Sequence, residues 1–288
     1  MSKRTGATNS QLIAKAQTIR EREHRLKPGL RLKTPLETVM FVHDKGLVST
    51  LGSNELPSLI RAILGSPWKP RSKGFTGWLD WWSIEIGGQR ISRFAAELER
   101  RDDILASRVF RRSKTLVSSR LWPILNPIIE HHKNLLTGGN ILTTTEIKLR
   151  KTIESEDAVR TDHLRKRAKM EGKDNNYRFH RALNNLESYG LIVGAEDPQP
   201  ERHMHANIWQ TWEKRTSGKT TPVQMTYETA FLKLLEATIQ AAVLVREDEI
   251  QGWYRWDADL EKAKEKLLDA GTVVRVNHYL IHSKALSI

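Results

Sequence analysis

The sequence predicts a mainly helical fold with small β-hairpins (α+β), built from tandem winged-helix domains. Three observations support this fold class. Between residues 145 and 193, three helical patterns are followed by a short apolar strand. The same order returns between residues 226 and 282, where it ends in a hairpin. A shift of 81 residues aligns the two stretches, pairing Leu186 with Leu267 and Gly190 with Gly271.

The first half of the chain contains helical patterns separated by glycine and proline. Pro35 suits the first turn of a helix, and Gly46 marks its end. We predict helices at 10–26, 35–45, 56–64, 90–101 and 116–136, the last broken by Pro123 and Pro127, and a strand at 47–51.

The middle of the chain is easier to interpret. Thr145 is a candidate N-cap for one helix, and Thr161 begins a second. A third, from Tyr177 to Tyr189, places apolar residues on one side and ends at Gly190, which supplies a left-handed cap before strand 191–193. Three helices followed by strands are typical of a winged helix.

The C-terminal stretch repeats this order. Helices are predicted at 226–245, 247–253 and 258–268, and strands at 272–276 and 279–282 are joined by Asn277 and His278.

We therefore divide the chain into four segments. Residues 1–55 hold basic helices and a degenerate winged helix, and 56–137 form a central helical region rich in Trp and Arg. Residues 138–217 and 218–288 each form a winged helix. The assignment within 1–55 depends on a fainter repeat, in which a shift of 144 residues aligns Gly46 with Gly190.

Composition excludes several function classes. The 288 residues include no Cys, which rules out disulfides, thiolate zinc sites and Cys nucleophiles. The adjacent His131 and His132, and the pair His203 and His205, lack a third ligand at a metal-site spacing, so we predict no metal and no cofactor. Without an apolar span or signal segment, the expected location is the cytoplasm, with no membrane partner.

Charge gives the first positive indication of a partner. The net charge is +13, and the segments 1–34, 35–140, 141–217 and 218–288 carry +7, +5, +2 and −1. Such a basic excess favours a polyanion, and we predict double-stranded DNA as the partner. Solubility, or an acidic protein partner, is the alternative.

The candidate DNA-binding residues belong to two stretches. On the third helix of a winged helix, guanidinium and amide groups reach bases while nearby cations hold phosphates. The predicted contacts are Arg108, Arg111, Arg112, Lys114, Arg165, Lys166, Arg167, Lys169, Arg178, Arg181, Asn184 and Asn185. Interleaved acids make local ion pairs the alternative for some of them. In the C-terminal winged helix, residues 261–266 alternate in charge, which favours packing or a protein partner.

Two further groups of residues suggest chemistry. Trp78, Trp81 and Trp82 stack on an unpaired base or belong to the core. A water-activating enzyme needs a carboxylate in a cleft, and Asp44, Glu55, Asp80 and Glu85 lie in the least regular region.

Three segments give the chain a resemblance to a known family. They are FVHDKGLVSTLGSNELPSLIRAILG, RRSKTLVSSRLWPIL, and TTTEIKLRKTI followed by LRKRAKMEGKDNNYRFHRALNNLESYGLIVG. Together they resemble the AlkZ-like winged-helix family, in particular its divergent AlkZ-related members, over residues 36–215. The resemblance implies a C-shaped scaffold of tandem winged helices lined with basic residues. The best-known members of the family are DNA glycosylases that remove alkylated bases and unhook crosslinks, so the resemblance also implies that activity.

The family's catalytic motif is missing. Its glycosylases use a Gln-x-Gln or Gln-x-Asp pair near the start, whereas the corresponding stretch here reads Phe41, Val42, His43 and Asp44. We therefore predict a protein that binds duplex DNA mainly through phosphate contacts, with a role in DNA repair. The alternatives are an active glycosylase that uses Asp44 as its catalytic carboxylate, and a winged-helix module that binds a protein.

Overall fold

The computed structural model describes residues 8–51, 55–68, 88–139, 141–197, 206–219, 224–256 and 259–287. Several residues singled out in the sequence lie outside the described residues: Trp78, Asp80, Trp81, Trp82, Glu85, His203 and His205.

Helices dominate the described residues, as predicted. The helices are α1 (Asn9–Glu23), α2 (Pro35–Lys45), α3 (Leu59–Leu64), α4 (Gly88–Glu99), α5 (Trp122–Gly138), α6 (Thr144–Glu154), α7 (Thr161–Arg167), α8 (Asn176–Ser188), α9 (Trp212–Thr216), α10 (Tyr227–Ala242), α11 (Leu260–Asp269) and α12 (Lys284–Ser287). Short 3-10 turns cover Pro28–Leu30, Ser119–Leu121 and Glu247–Ile250.

Nine short strands form three sheets of three strands each in the described parts of the chain. They are β1 (Leu47–Ser49), β2 (Ile104–Ser107), β3 (Thr115–Ser118), β4 (Val159–Arg160), β5 (Ile192–Glu196), β6 (Asn207–Thr211), β7 (Leu244–Arg246), β8 (Val273–Val276) and β9 (Tyr279–His282). The strand orders are β1-β3-β2, β4-β6-β5 and β7-β9-β8, so the last strand in sequence lies in the middle of each sheet. This repeated topology confirms the predicted fold class of helices with small hairpins in tandem winged helices.

The hairpin of β2 and β3 differs from the prediction. The predicted helix 116–136 begins within β3, whose residues 115–118 pair antiparallel with β2, from Ile104 opposite Ser118 to Ser107 opposite Thr115. The four residues of β3 are too few to show a helical or a strand period, so the sequence pattern alone could not distinguish a helix from a strand here. The basic stretch 108–114 is consequently the connection of a hairpin.

Two further predictions, one about a repeat and one about a helix N-cap, were wrong in the positions that they assigned. By strand order, β1 corresponds to β4 and β7, the first strands of their sheets, so Gly46 does not match Gly190 as the 144-residue shift proposed. The N-cap of α6 is Thr143, whose hydroxyl accepts a hydrogen bond from the Glu146 amide while the Glu146 side chain accepts one from the Thr143 amide. This reciprocal capping box satisfies two amides at the helix start.

The structure divides into two compact units, one of which contains residues 92–231 and 253–258. Its second winged helix packs α6, α7 and α8 over the sheet β4-β6-β5. Its core includes Leu149, Leu164, Phe179, Leu186 and Trp209, all buried. This core fixes which faces of α7 and α8 point outward.

The other unit contains residues 1–91, 232–252 and 259–288. Here α1 packs Ala16 and Ile19 against Val243, Leu244 and Ile281 of the C-terminal winged helix. One side of the basic helix α1 is therefore buried against the C-terminal winged helix. The predicted division of the chain into four segments stays a prediction. Among the described helices, none is long and apolar enough to cross a membrane.

Candidate nucleic-acid interface

The helices α7 and α8 of the second winged helix are held together at one end by Arg165. Its guanidinium donates to the Asn176 side chain and lies 3.0 Å from Nε2 of His180. It also covers the Phe179 ring at 4.4 Å from the ring centroid. Burial, assisted by the charge of Arg165, lowers the pKa of His180, so this ring stays neutral and accepts the hydrogen bond. Arg165 thus packs the two helices together.

Several of the predicted DNA-binding residues near this junction have exposed side chains. Lys166, Lys169, Arg181 and Asn184 are exposed, and none has a side-chain partner among the residues that the structure describes. Arg181 and Asn184 are three positions apart on α8 and therefore share a face. The turn between α7 and α8 also exposes two acids, Glu171 and Asp174. The face nonetheless carries an excess of unpaired cations.

Other predicted contacts on these helices have protein partners. Arg167 forms an ion pair with Glu156, and Nε of Arg178 donates to Oγ1 of Thr145 at 2.7 Å. Thr145 therefore anchors Arg178 instead of capping α6.

Asn185 is more deeply engaged. Its Nδ2 donates to Oε1 of Glu146 at 2.7 Å, and its Oδ1 accepts from Arg255 at 2.6 Å. Arg255 in turn lies over the Tyr189 ring, 4.4 Å from its centroid. The side-chain amide of Asn185 thus connects α8 to α6, through Glu146, and to the segment 253–256, through Arg255.

The basic hairpin connection 108–114 is partly neutralised by buried acids. Arg108 Nε lies 3.0 Å from Oε2 of Glu187, and Lys114 Nζ lies 2.5 Å from Oε1 of Glu99. Both carboxylates are buried. Burial raises the pKa of Glu187 to about 7, although the charges of Arg108 and Lys114 act in the opposite direction.

The two remaining cations of the connection differ from each other. The Arg111 amide donates to the Trp253 carbonyl at 2.7 Å, which fixes the backbone of the connection. Arg112 is exposed, and its carbonyl accepts a hydrogen bond from Arg108. Of the four predicted contacts here, Arg112 presents its side chain to solvent most openly.

The C-terminal winged helix shows mutual neutralisation. Lys264 contacts both Glu247 and Glu261, and Arg275 contacts Glu247 and Glu265. On its third helix, α11, the charges of Lys264, Glu261 and Glu265 are ion-paired, while Lys262 and Lys266 are exposed without a side-chain partner among the described residues.

Asp44, the candidate catalytic carboxylate, lies in the last turn of α2. Its side chain is 66% exposed and pairs with Lys45 at 2.7 Å, and Lys45 also contacts Glu23 at 2.5 Å. These neighbours do not desolvate the carboxylate, which is the usual way a protein prepares such a group for proton transfer. Its catalytic role stays a prediction.

Two features of this region were not singled out from the sequence. Tyr177, on the second position of α8, is 74% exposed and lies one turn before Arg181. Helical spacing from Arg181 could have revealed it. Glu187 is one of the acids interleaved with the predicted contacts, and nothing in its local sequence indicates that it accepts a hydrogen bond from Arg108, which lies 79 positions away.

Comparison with known proteins agrees with this architecture. No curated protein matches the sequence. The solved structure of the Streptomyces sahachiroi DNA glycosylase AlkZ is similar, with a TM-score of 0.55 at 10% sequence identity over 98% of this chain and 72% of that chain. At this identity the likeness shows the fold. A family described as AlkZ related matches residues 38–252, which is most of the sequence, and the chain therefore belongs to the AlkZ-related family.

Proposed function

We propose that the protein binds duplex DNA, mainly through phosphate contacts, with the outward face of α8 and the adjoining end of α7. The observation that carries this proposal is the set of exposed cations on that face, Lys166, Lys169 and Arg181, which lack acidic partners among the described residues. Their charge is available to a ligand because no carboxylate in the described chain neutralises it.

Geometry favours this face over the other basic stretches. Arg108 and Lys114 already compensate buried carboxylates, so releasing them to a phosphate would leave Glu187 and Glu99 without their partners. On α8, Arg181 and Asn184 combine a guanidinium with a free amide, which are the groups suited to base edges in a major groove. Lys166 and Lys169 supply the phosphate contacts beside them.

The family and the structural neighbour support the same conclusion. The neighbour is a DNA glycosylase, whose substrate is DNA. A shared fold does not carry catalysis with it, because catalysis depends on particular site residues, and the catalytic pair of the family is replaced here.

The test is affinity for a short duplex measured across salt concentrations. Each phosphate contact contributes about −0.9 to the slope of log affinity against log salt. Lys166→Ala and Lys169→Ala should each weaken binding and flatten this slope by about 0.9. Arg181→Ala should weaken binding by about 1–3 kcal/mol through the loss of its contact with a base edge. Lys262→Ala, which removes an exposed lysine from α11, is the matched control and should leave the slope unchanged. Binding that is insensitive to salt would refute the proposal.

A second candidate is an active DNA glycosylase with a role in repair, and the observation that favours it is the structural likeness to AlkZ. In this function, Asp44 would orient a water toward the sugar of an extruded nucleotide. Release of an alkylated base by the purified protein, abolished in Asp44→Asn, would support it. Release unchanged by that substitution would exclude Asp44, and absence of release would leave DNA binding alone.

A further inference from the structure

Tyr177 differs from the other tyrosines of the chain. All five tyrosines of the sequence lie in the described part, and four of their rings contact another side chain. The contacts are Tyr189 with Arg255, Tyr227 with His131, Tyr254 with Trp256, and Tyr279 with His278. Tyr177 has no such contact in the described chain, and its side chain is the most exposed large hydrophobic one there.

The position of Tyr177 is set by the helix junction. Arg165 donates to Asn176, the residue before it, and so holds the first turn of α8 against the end of α7. Along α8, Tyr177 shares one face with Arg181 and Asn184, which follow at four and seven positions. The ring therefore stands on the same face of α8 as the exposed Arg181, beside the junction with α7 that precedes the exposed Lys169.

An exposed ring among cations is the arrangement with which proteins hold unpaired bases. The cations follow the backbone, and the aromatic ring stacks on a base whose face is free. In an uninterrupted duplex every base face is covered by its neighbours, so a ring gains this stacking only where pairing is disrupted.

We propose that Tyr177 stacks on an unpaired base, so that the α8 face binds duplex DNA containing a disrupted base pair more tightly than continuous duplex. This inference rests on the proposed DNA binding and adds the class of DNA that the face prefers. The phosphate contacts of Lys166 and Lys169 serve both kinds of DNA, whereas Tyr177 contributes only to the disrupted one.

The experiment compares two duplexes of equal length. One is fully paired, and the other places 2-aminopurine opposite an abasic site at its centre. The wild-type protein should bind the disrupted duplex about 5- to 150-fold more tightly and quench the 2-aminopurine fluorescence. Tyr177→Phe keeps the ring and should retain both effects. Tyr177→Leu keeps an apolar side chain without a ring and should lose both, with an unchanged slope of affinity against salt.

The outcomes separate this inference from the function on which it rests. Equal affinity of the wild type for the two duplexes, or a preference that survives in Tyr177→Leu, would overturn the stacking role while salt-dependent DNA binding stands. Contact of the ring with a groove edge would appear as an equal loss of affinity for both duplexes in Tyr177→Leu, and it too would overturn the inference. Failure to bind either duplex would refute the proposed function itself.

Discussion

Arg108 Nε lies 3.0 Å from Oε2 of Glu187, a carboxylate that is only 5% exposed. Arg108 follows β2 at the start of the basic hairpin connection, and Glu187 lies near the end of α8. The pair therefore connects the hairpin to the helix that carries the proposed DNA-binding face. A buried charge that loses its partner lowers the free energy of unfolding by several kcal/mol. Arg108 therefore has a structural role, which the basic sequence around it does not indicate.

We expect Glu187 to make folding stability depend on pH. Burial raises the folded-state pKa of Glu187 from the ordinary 4.5 to about 7, so between these values the folded protein holds a proton that the unfolded chain has lost. Its stabilising contribution is complete below pH 4.5 and is lost as pH rises toward 7. This shift corresponds to about 3 kcal/mol.

Glu187→Gln removes the titrating group and tests this expectation. The free energy of unfolding of the variant, measured by urea denaturation, should rise relative to that of the wild type by about 3 kcal/mol between pH 4.5 and pH 7.5. A difference between the two proteins that is constant with pH, or that falls, would contradict the raised pKa of Glu187.

Arg108→Ala should destabilise the protein more at pH 8 than at pH 5. At pH 8 the Glu187 carboxylate would be left buried and ionised, at a cost of about 3 kcal/mol, whereas at pH 5 it can hold a proton. Arg112→Ala is the matched control, because its exposed side chain can be removed without touching the carbonyl that Arg108 contacts. It should change the free energy of unfolding by less than about 0.5 kcal/mol at either pH. Equal losses for Arg108→Ala at the two pH values would argue against the pair.

The two asparagines of α8 should separate stability from binding. Asn185→Ala removes a donor to the buried Glu146 and an acceptor for Arg255, so we expect a loss of about 1–3 kcal/mol in the free energy of unfolding. Asn184→Ala removes an exposed amide and should cost less than about 0.5 kcal/mol. In DNA titrations the order should be reversed at matched folded concentrations, with Asn184→Ala showing the larger loss of affinity. Similar stabilities for the two variants would show that the Asn185 contacts contribute little.

The parts of the fold that were predictable from sequence are those in which the local backbone conformation requires a particular type of residue. Gly190 and Gly271 both adopt a positive φ, 75° and 66°, after the third helix of their winged helices. A positive φ at the end of the third helix favours glycine in both winged helices, which explains why glycine recurs 81 positions apart. The alignment of the two winged helices by this shift was therefore correct.

The first sheet and the ion pairs depend on distant partners, and for that reason they were not predictable. The strands β2 and β3 have four residues each, too few to show a period. On the proposed interface, helical spacing correctly placed Arg181 and Asn184 on the outward face of α8. It could not reveal that Asn185, one position further, is held by Glu146 and Arg255.

Gly190 offers the sharpest test of the packing behind α8. It has a φ of 75°, and a Cβ built there would lie 2.7 Å from Cδ1 of the buried Ile129. Gly172 has a φ of 89° with nothing within 4 Å of its Cβ position, so it isolates the backbone contribution. Gly172→Ala should cost about 1–2 kcal/mol in free energy of unfolding. Gly190→Ala should cost that amount and a further 1–3 kcal/mol, roughly, because Ile129 must shift in a packed core.

The steric part of this cost can be separated with a second substitution. Ile129→Val deletes the Cδ1 atom nearest the Gly190 position and alone should cost about 0.5–1.5 kcal/mol. Combined with Gly190→Ala, it should relieve part of the clash, so that the double variant loses less stability than the two single losses added together. The same double-variant measurement with Gly172→Ala should be additive, because no described side chain adjoins that position. Additivity at Gly190 would mean that its strain resides in the backbone alone.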